Sequence, residues 1–155
     1  MKILMVCLGN ICRSPMAEGI LKHELSKRNL NDIEVDSAGF EPFHEGDRPD
    51  QRGMATMKKH GIDISSIRSR LFKVEDFDEF DKIYVMDHNN YKDVIRMARD
   101  ENDKKKVDLL LNQIQPGSNA VVPDPYYGGD EGFDSVFNLL SNACEKIVDK
   151  IDKSN

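Results

Sequence analysis

The chain has 155 residues, 39% of them hydrophobic and 32% charged, and carries a net charge of −6. That length suits one domain with a full core, and no apolar run approaches the roughly 20 residues of a bilayer-spanning helix. The acidic balance argues against a nucleic-acid partner, whose phosphates demand a basic face. The short apolar run after Lys2 is too brief for a signal-peptide core, so no membrane partner and a cytoplasmic location are expected.

The run Ile3 to Val6 is apolar without alternation, as a strand buried on both faces of a parallel sheet reads. After Cys7 the chain enters a tight turn with Gly9 and Asn10, residue types that tolerate positive φ. Ser14 offers an N-cap oxygen and Pro15 suits a first helical position, with Ala17, Ile20, Leu21 and Leu25 following at helical spacing. Strand, loop and helix therefore place a thiol at a strand end and Arg13 at the mouth of a helix.

Such a loop points several backbone N–H groups at one spot, where the helix dipole adds positive charge. Arg13 supplies a planar fork of donors that Lys would lack. The same field favours a thiolate at Cys7, and the Ser14 hydroxyl is placed to donate to that sulfur. A bare Cys-x5-Arg is too short a pattern to decide anything. Its weight comes from the buried strand before it and from Ser-Pro after it.

Ile33 to Ser37 alternates and reads as a second strand, nearer an edge. Phe40 to Pro49 is loop. Asp50 starts a helix that stops at His60-Gly61. Arg68 and Arg70 lie in a polar connection, and Glu75 to Asp81 makes a short turn or helix anchored by Phe77 and Phe80. Lys82 to Met86 is a third strand ending at Asp87, followed by a helix over about Asn89 to Ala98 and a solvated charge run, Arg99 to Lys106. Val107 to Leu111 is a fourth strand or a helical turn. After a long Pro- and Gly-rich loop, Phe133, Phe137, Leu140, Cys144, Ile147 and Ile151 mark one amphipathic C-terminal helix. The alternation predicts a single-domain α/β fold over residues 1–155: an open four-stranded parallel sheet, helices on both faces, ligands beyond the carboxyl ends of the strands.

Expelling an alkoxide or phenolate from a captured phosphate monoester requires a proton donor. Asp124, held between Pro123 and Pro125, is the most distinctive candidate, and Tyr126 and Tyr127 beside it could wall a cleft for an aromatic ring. Taken alone, the same residues also read as a surface turn.

Val6-Cys-Leu-Gly-Asn-Ile-Cys-Arg-Ser-Pro15, Ala17-Glu18 and Asp124-Pro-Tyr-Tyr-Gly128 closely resemble the low-molecular-weight protein tyrosine phosphatases. Asp36 to Gly39, Gly61-Ile62 and Met86-Asp87 match in order and spacing, so the resemblance spans essentially the whole chain and implies the phosphotyrosine phosphatase I-like, flavodoxin-like fold. It implies Cys7 as nucleophile, Arg13 and the amides of Leu8, Gly9, Asn10, Ile11, Cys12 and Arg13 as phosphate ligands, and Asp124 as general acid and base. It further implies Asn10 and Ser37 as the pair bracing the loop, Ser14 as the sulfur's partner, and Phe43, Tyr126 and Tyr127 as cleft wall. Expected partners are a phosphotyrosine protein or small aryl phosphate, and phosphate-like oxyanions as inhibitors. No cofactor and no metal are expected, and a monomer is.

The sequence departs from that pattern where Phe43 and His44 replace Trp and a polar residue, and where Ser66 replaces a loop-bracing His, so support for Asn10 is expected to weaken or take another route. Cys12 is open to two readings: packing under the loop, or a reversible disulfide with Cys7 as in similar enzymes. Cys144 reads as core, and the four histidines show no ligand spacing, with His44 alone placed to line the cleft. Arsenate reductases share the loop but need further relay cysteines that are missing here. Arginine phosphatases of the same family carry Thr at the position of Ile11.

Overall fold

The structure, a computed structural model, describes residues 1–127 and 129–154, excepting the side chains of Tyr127 and Asp130. Four strands, β1 (Lys2–Val6), β2 (Glu34–Ala38), β3 (Lys82–Val85) and β4 (Val107–Leu109), form one parallel sheet in the order β2-β1-β3-β4. All three pairings are parallel, with Val6 opposite Ala38 on one side and Val85 on the other. β1 is one of the two central strands, and from it the chain first goes outward to β2 and then crosses to β3 on its other side. The crevice at such a reversal, beyond the carboxyl ends of the strands, is where open α/β sheets bind ligands. Cys7 is the first residue past that end of β1.

The period of two sends alternate side chains of β1 and β3 to opposite faces. Ile3, Met5, Tyr84 and Met86 join the core beneath α1 (Arg13–Lys27), α2 (Gln51–Lys59) and the long C-terminal α6 (Gly129–Ser154). Leu4, Val6, Ile83 and Val85 pack on the other face with Phe77 of α3 (Asp76–Glu79) and Val94 of α4 (His88–Met97). Helices thus cover both faces, as the continuous apolar strands require. Among the described residues no helix is long and apolar enough to cross a membrane.

Two expectations need correction. Ser14 is not the N-cap of α1: the helix starts at Arg13 with Cys12 in the capping position, so Pro15 falls at the third helical residue. Pro is tolerated there because first-turn N–H groups have no intrahelical partner. The charge run after α4 is structured, containing α5 (Glu101–Lys105), in which Asp103 is buried and accepts the Arg99 guanidinium. After Leu109 the chain turns into a short 3-10 helix, Leu110–Gln113.

Candidate active site

Residues 7 to 13 form a cup whose hydrogen bonds sort by direction. The Leu8 carbonyl accepts from the N–H groups of Phe40 (2.7 Å) and Glu41 (3.1 Å), that of Ile11 from Asp50 N–H (2.7 Å), and that of Cys12 from Met16 N–H (3.3 Å). The Gly9 carbonyl accepts from the Ser69 hydroxyl at 3.0 Å. Every one of these oxygens is tied to the surrounding structure. The N–H groups of Leu8 to Cys12, by contrast, donate to no described protein acceptor. Backbone donors with no partner in a concave loop at a helix N-terminus are what an anion binds.

Two residues let the loop curl this tightly. Asn10 takes φ of 54°, a left-handed conformation that Asn adopts more readily than most residues. Gly39, at the end of β2, lies so near that a Cβ there would meet the Leu8 carbonyl oxygen at 2.8 Å and the Asn10 nitrogen at 2.9 Å.

Ser14, released from the cap, sits between Cys7 and Asn10. Its Oγ accepts from Asn10 Nδ2 at 2.8 Å and lies 2.9 Å from Cys7 Sγ. Since the hydroxyl already accepts from the amide, its single hydrogen is free to be donated to the sulfur, which stabilises a thiolate.

The brace of the loop differs from the expected one. Ser37 Oγ donates to the buried Glu18 carboxylate at 2.6 Å, and Asn10 Oδ1 instead accepts from the backbone N–H of Arg70 at 3.0 Å. Ser66, where a bracing His was missing, is exposed. Support comes from its downstream neighbours Ser69 and Arg70, and the Arg70 guanidinium is itself held by Asp36 (3.1 Å) and the buried Asp76 (3.1 and 3.2 Å). Neither residue was distinguishable in sequence, because Ser69 acts through one hydroxyl and Arg70 through its backbone.

Arg13 is 3% exposed. Its Nη1 donates to Asp87 Oδ2 at 2.7 Å and to the Val122 carbonyl at 2.9 Å, which orients the guanidinium plane. Burial works against the charge, but Cys7, Asp87 and Asp124 outweigh it and raise the pKa further, so Arg13 is a permanent cation. In the sequence Asp87 stands out as a strand-end residue and as part of the matching Met86-Asp87 pair. It also caps α4, exchanging hydrogen bonds with Asn90.

Asp124 comes to the same place from the far end of the chain: its Oδ2 lies 3.8 Å from Arg13 Nη2. The connection is made by Val122, whose N–H donates to the Met86 carbonyl at 2.8 Å while its own carbonyl accepts from Arg13. Asp124 Oδ1 accepts from Tyr126 N–H at 3.0 Å, and Arg52 of α2 donates to the Tyr126 carbonyl at 3.0 Å, with its guanidinium 5.5 Å from that ring. Val122 and Arg52 had no sequence signal as site residues.

A cleft of about 130 Å³ opens over the cup, lined by Cys7, Arg13, Asp124, Phe43, His44 and Tyr126, with Leu8, Gly9, Ile11, Cys12 and Glu41 completing its wall. Phe43, 75% exposed, stands at the rim. His44 does line the cleft, with Nδ1 3.2 Å from Asp47. The expectation for Tyr127 as cleft wall lies outside the described residues. Cys7, Cys12 and Cys144 are free thiols, and burial first of all, with Asp50 and Cys7 nearby, pushes the Cys12 thiol well up. Among the described residues no cluster of side chains has the make-up of a metal site.

Fold and site together define a cysteine-dependent hydrolase that captures tetrahedral oxyanions: a nucleophile at the floor of an amide cup, a fixed guanidinium and a carboxyl above. Comparison with known proteins narrows this class. The family described as low molecular weight phosphotyrosine protein phosphatase matches residues 2–155, and the chain belongs to it. It is 40% identical over 148 residues to the low molecular weight phosphotyrosine protein phosphatase 1 of Drosophila melanogaster, covering 95% of this chain and 94% of that one. The crystal structure of a protein tyrosine phosphatase from Entamoeba histolytica, with Hepes in its active site, superposes with a TM-score of 0.91 at 38% identity, covering 99% of this chain and 98% of the other. A Drosophila arginine phosphatase superposes at 0.90 with 37% identity, over 97% and 98% of the two chains.

Proposed function

We propose that this enzyme hydrolyses phosphotyrosine and small aryl phosphate monoesters through a cysteinyl-phosphate. The observation that carries the reading is the meeting of Asp124 with the Cys7–Arg13 cup, 3.8 Å from the Arg13 guanidinium. The substrate's equatorial oxygens lie against the unpartnered N–H groups of Leu8 to Cys12 and the Arg13 fork. Cys7 Sγ attacks phosphorus in line, the S–P bond forms, and the bond from phosphorus to the phenolic oxygen breaks as Asp124 delivers its proton to that oxygen. Asp124, now a carboxylate, takes a proton from water, whose oxygen attacks phosphorus. The S–P bond breaks, releasing inorganic phosphate and regenerating the thiolate that Ser14 stabilises.

The aromatic rim of Phe43 and Tyr126 suits a phenyl leaving group. Ile11, where family members acting on phosphoarginine resemble this loop but carry Thr, supports the tyrosine reading. The test is hydrolysis of p-nitrophenyl phosphate, a phosphotyrosine peptide and a phosphoarginine peptide by wild type, Cys7→Ser and Asp124→Ala. Cys7→Ser is expected to be inactive and Asp124→Ala to lose about 10²- to 10⁴-fold on the phosphotyrosine peptide. Equal activity in wild type and Cys7→Ser would rule out the mechanism, and preference for phosphoarginine would overturn the substrate assignment.

A further inference from the structure

At the opposite pole of the sheet lies a second and larger cavity, of about 460 Å³, within the usual range for small-molecule sites. It opens at the amino ends of the strands. Ile3 of β1 and Lys82 and Tyr84 of β3 line it, about 13 Å along the strand from Cys7 at 3.3 Å per residue. Its apolar walls are Ile3, Leu30, Ile33, Ile147 and Ile151, so the connection from α1 to β2 and the last turns of α6 close it from the sides.

Three polar groups face this space without partners among the described residues. Tyr84 is 6% exposed, and its hydroxyl oxygen, open to the cavity rather than sealed in the core, makes no hydrogen bond to any described residue. Burial, reinforced by Asp108 and Cys144, pushes its pKa up to about 12, which keeps it a hydroxyl and therefore a donor at neutral pH. Lys82 on β3 and Lys150 on α6 line the same cavity, and neither ammonium group forms an ion pair among the described residues. Lys82 and Tyr84, two residues apart on one strand, project from the same face of the sheet. Among the described residues of the lining Asp32 is the only acidic side chain, set against those of Lys82 and Lys150.

We propose that this cavity is a second ligand site, separate from the catalytic cup, for a small carboxylate with an apolar body. The body lies among the isoleucines and Leu30, and the carboxylate accepts from the Tyr84 hydroxyl and from the two ammonium groups. The two lysine ammonium groups outnumber the Asp32 carboxylate, so the polar end of the cavity suits an anionic group, while its isoleucine walls suit an apolar body rather than a bare oxyanion.

The probe is 2-naphthoate, titrated into 15N-labelled wild-type enzyme in saturating inorganic phosphate, with 2-naphthamide as the uncharged control of the same shape. The expected result is shifts in the amides of residues 29–33, 84 and 147–151 with those of 8–13 unmoved, and binding of the amide about tenfold weaker, the worth of one charge-assisted interaction. Lys82→Glu with Lys150→Glu, both at exposed positions, should weaken 2-naphthoate about tenfold, and Tyr84→Phe should weaken it several-fold while the spectrum shows an intact fold. No binding at millimolar 2-naphthoate, shifts confined to the cup, equal affinity for the amide, or unchanged affinity in the charge-reversed variant would each overturn the proposal.

Discussion

The cup and the loop that carries Asp124 do their work in opposite ways. Residues 7 to 13 are contiguous, with Cys7, Asn10, Cys12 and Arg13 buried and the carbonyls of Leu8, Gly9 and Ile11 tied outward by Phe40, Glu41, Ser69 and Asp50. Asp124 is partly exposed and is held through Val122 to β3 and Arg13, and through Arg52 to α2. A site for a dianion needs its dipoles fixed before the substrate arrives, because reorganising them would cost the stabilisation they provide. A proton donor needs only to reach the leaving oxygen at the right moment. Damage to the cup should therefore slow every substrate alike, whereas damage to the acid loop should slow substrates according to the basicity of the group they expel.

The largest break common to all substrates comes from Arg13→Lys, which keeps the charge but removes the fork and one or both of the bonds to Asp87 and Val122. We expect a loss in kcat/KM of about 10²- to 10³-fold or more, equal for p-nitrophenyl and phenyl phosphate. Asp124→Ala should separate those two substrates instead, with the loss approaching 10⁴-fold for phenyl phosphate and falling towards 10²-fold or less for p-nitrophenyl phosphate, whose leaving group needs little protonation. A loss independent of the leaving group would dissolve the contrast.

Ser14→Ala removes the sulfur's hydroxyl donor and leaves Asn10 Nδ2 without its acceptor. Because a hydrogen bond to a charged group is worth about 1.5–3 kcal/mol, steady-state kinetics should show kcat reduced about 10- to 100-fold. Ser69→Ala frees one carbonyl of the cup wall, and a neutral bond worth about 1 kcal/mol predicts a few-fold loss, again shared by both substrates.

The smallest effect concerns the joint between the two regions. Asp50 caps α2, donates its own N–H to Ile11 and binds Arg52. Burial disfavours its charge, but the Arg52 side chain and the N–H groups of Arg52 and Gly53 hold its carboxyl below the ordinary value of 3.8. A depressed folded-state pKa stabilises the protein above the unfolded value and is lost as pH falls through the folded one. Asp50→Asn keeps the cap but not the charge, so thermal denaturation should show a melting temperature about 1–3 °C lower at pH 7, with the gap closing below about pH 4.

The same contrast explains what could be read before any coordinates. A buried strand, a Gly-Asn turn and a Ser-Pro helix start are local features, so Cys7, Arg13 and the direction of the cup follow from adjacent residues. The order of the sheet follows from apolar runs with helices between them. What holds the cup together is remote: Ser69 and Arg70 each lie 60 positions from the residue they brace. Arg70 contributes a backbone N–H, which leaves no trace in side-chain chemistry. Val122 likewise connects Arg13 to Met86 through main-chain atoms only. Ser37 does not brace Asn10 directly, because Glu18, one turn into α1, is buried and takes its hydroxyl. The start of α1 was misplaced by two residues because Ser-Pro fits the N-cap and first position as well as it fits the second and third.

The most direct test is to catch the phosphoryl group on the sulfur. Asp124→Ala enzyme mixed with excess p-nitrophenyl phosphate, quenched in acid within the first turnover and digested, is expected to yield a phosphoryl adduct on Cys7 in the mass spectrum, and the same peptide from Cys7→Ser none. Turnover of substrate with no adduct on Cys7, or with the adduct on another residue, would contradict the account.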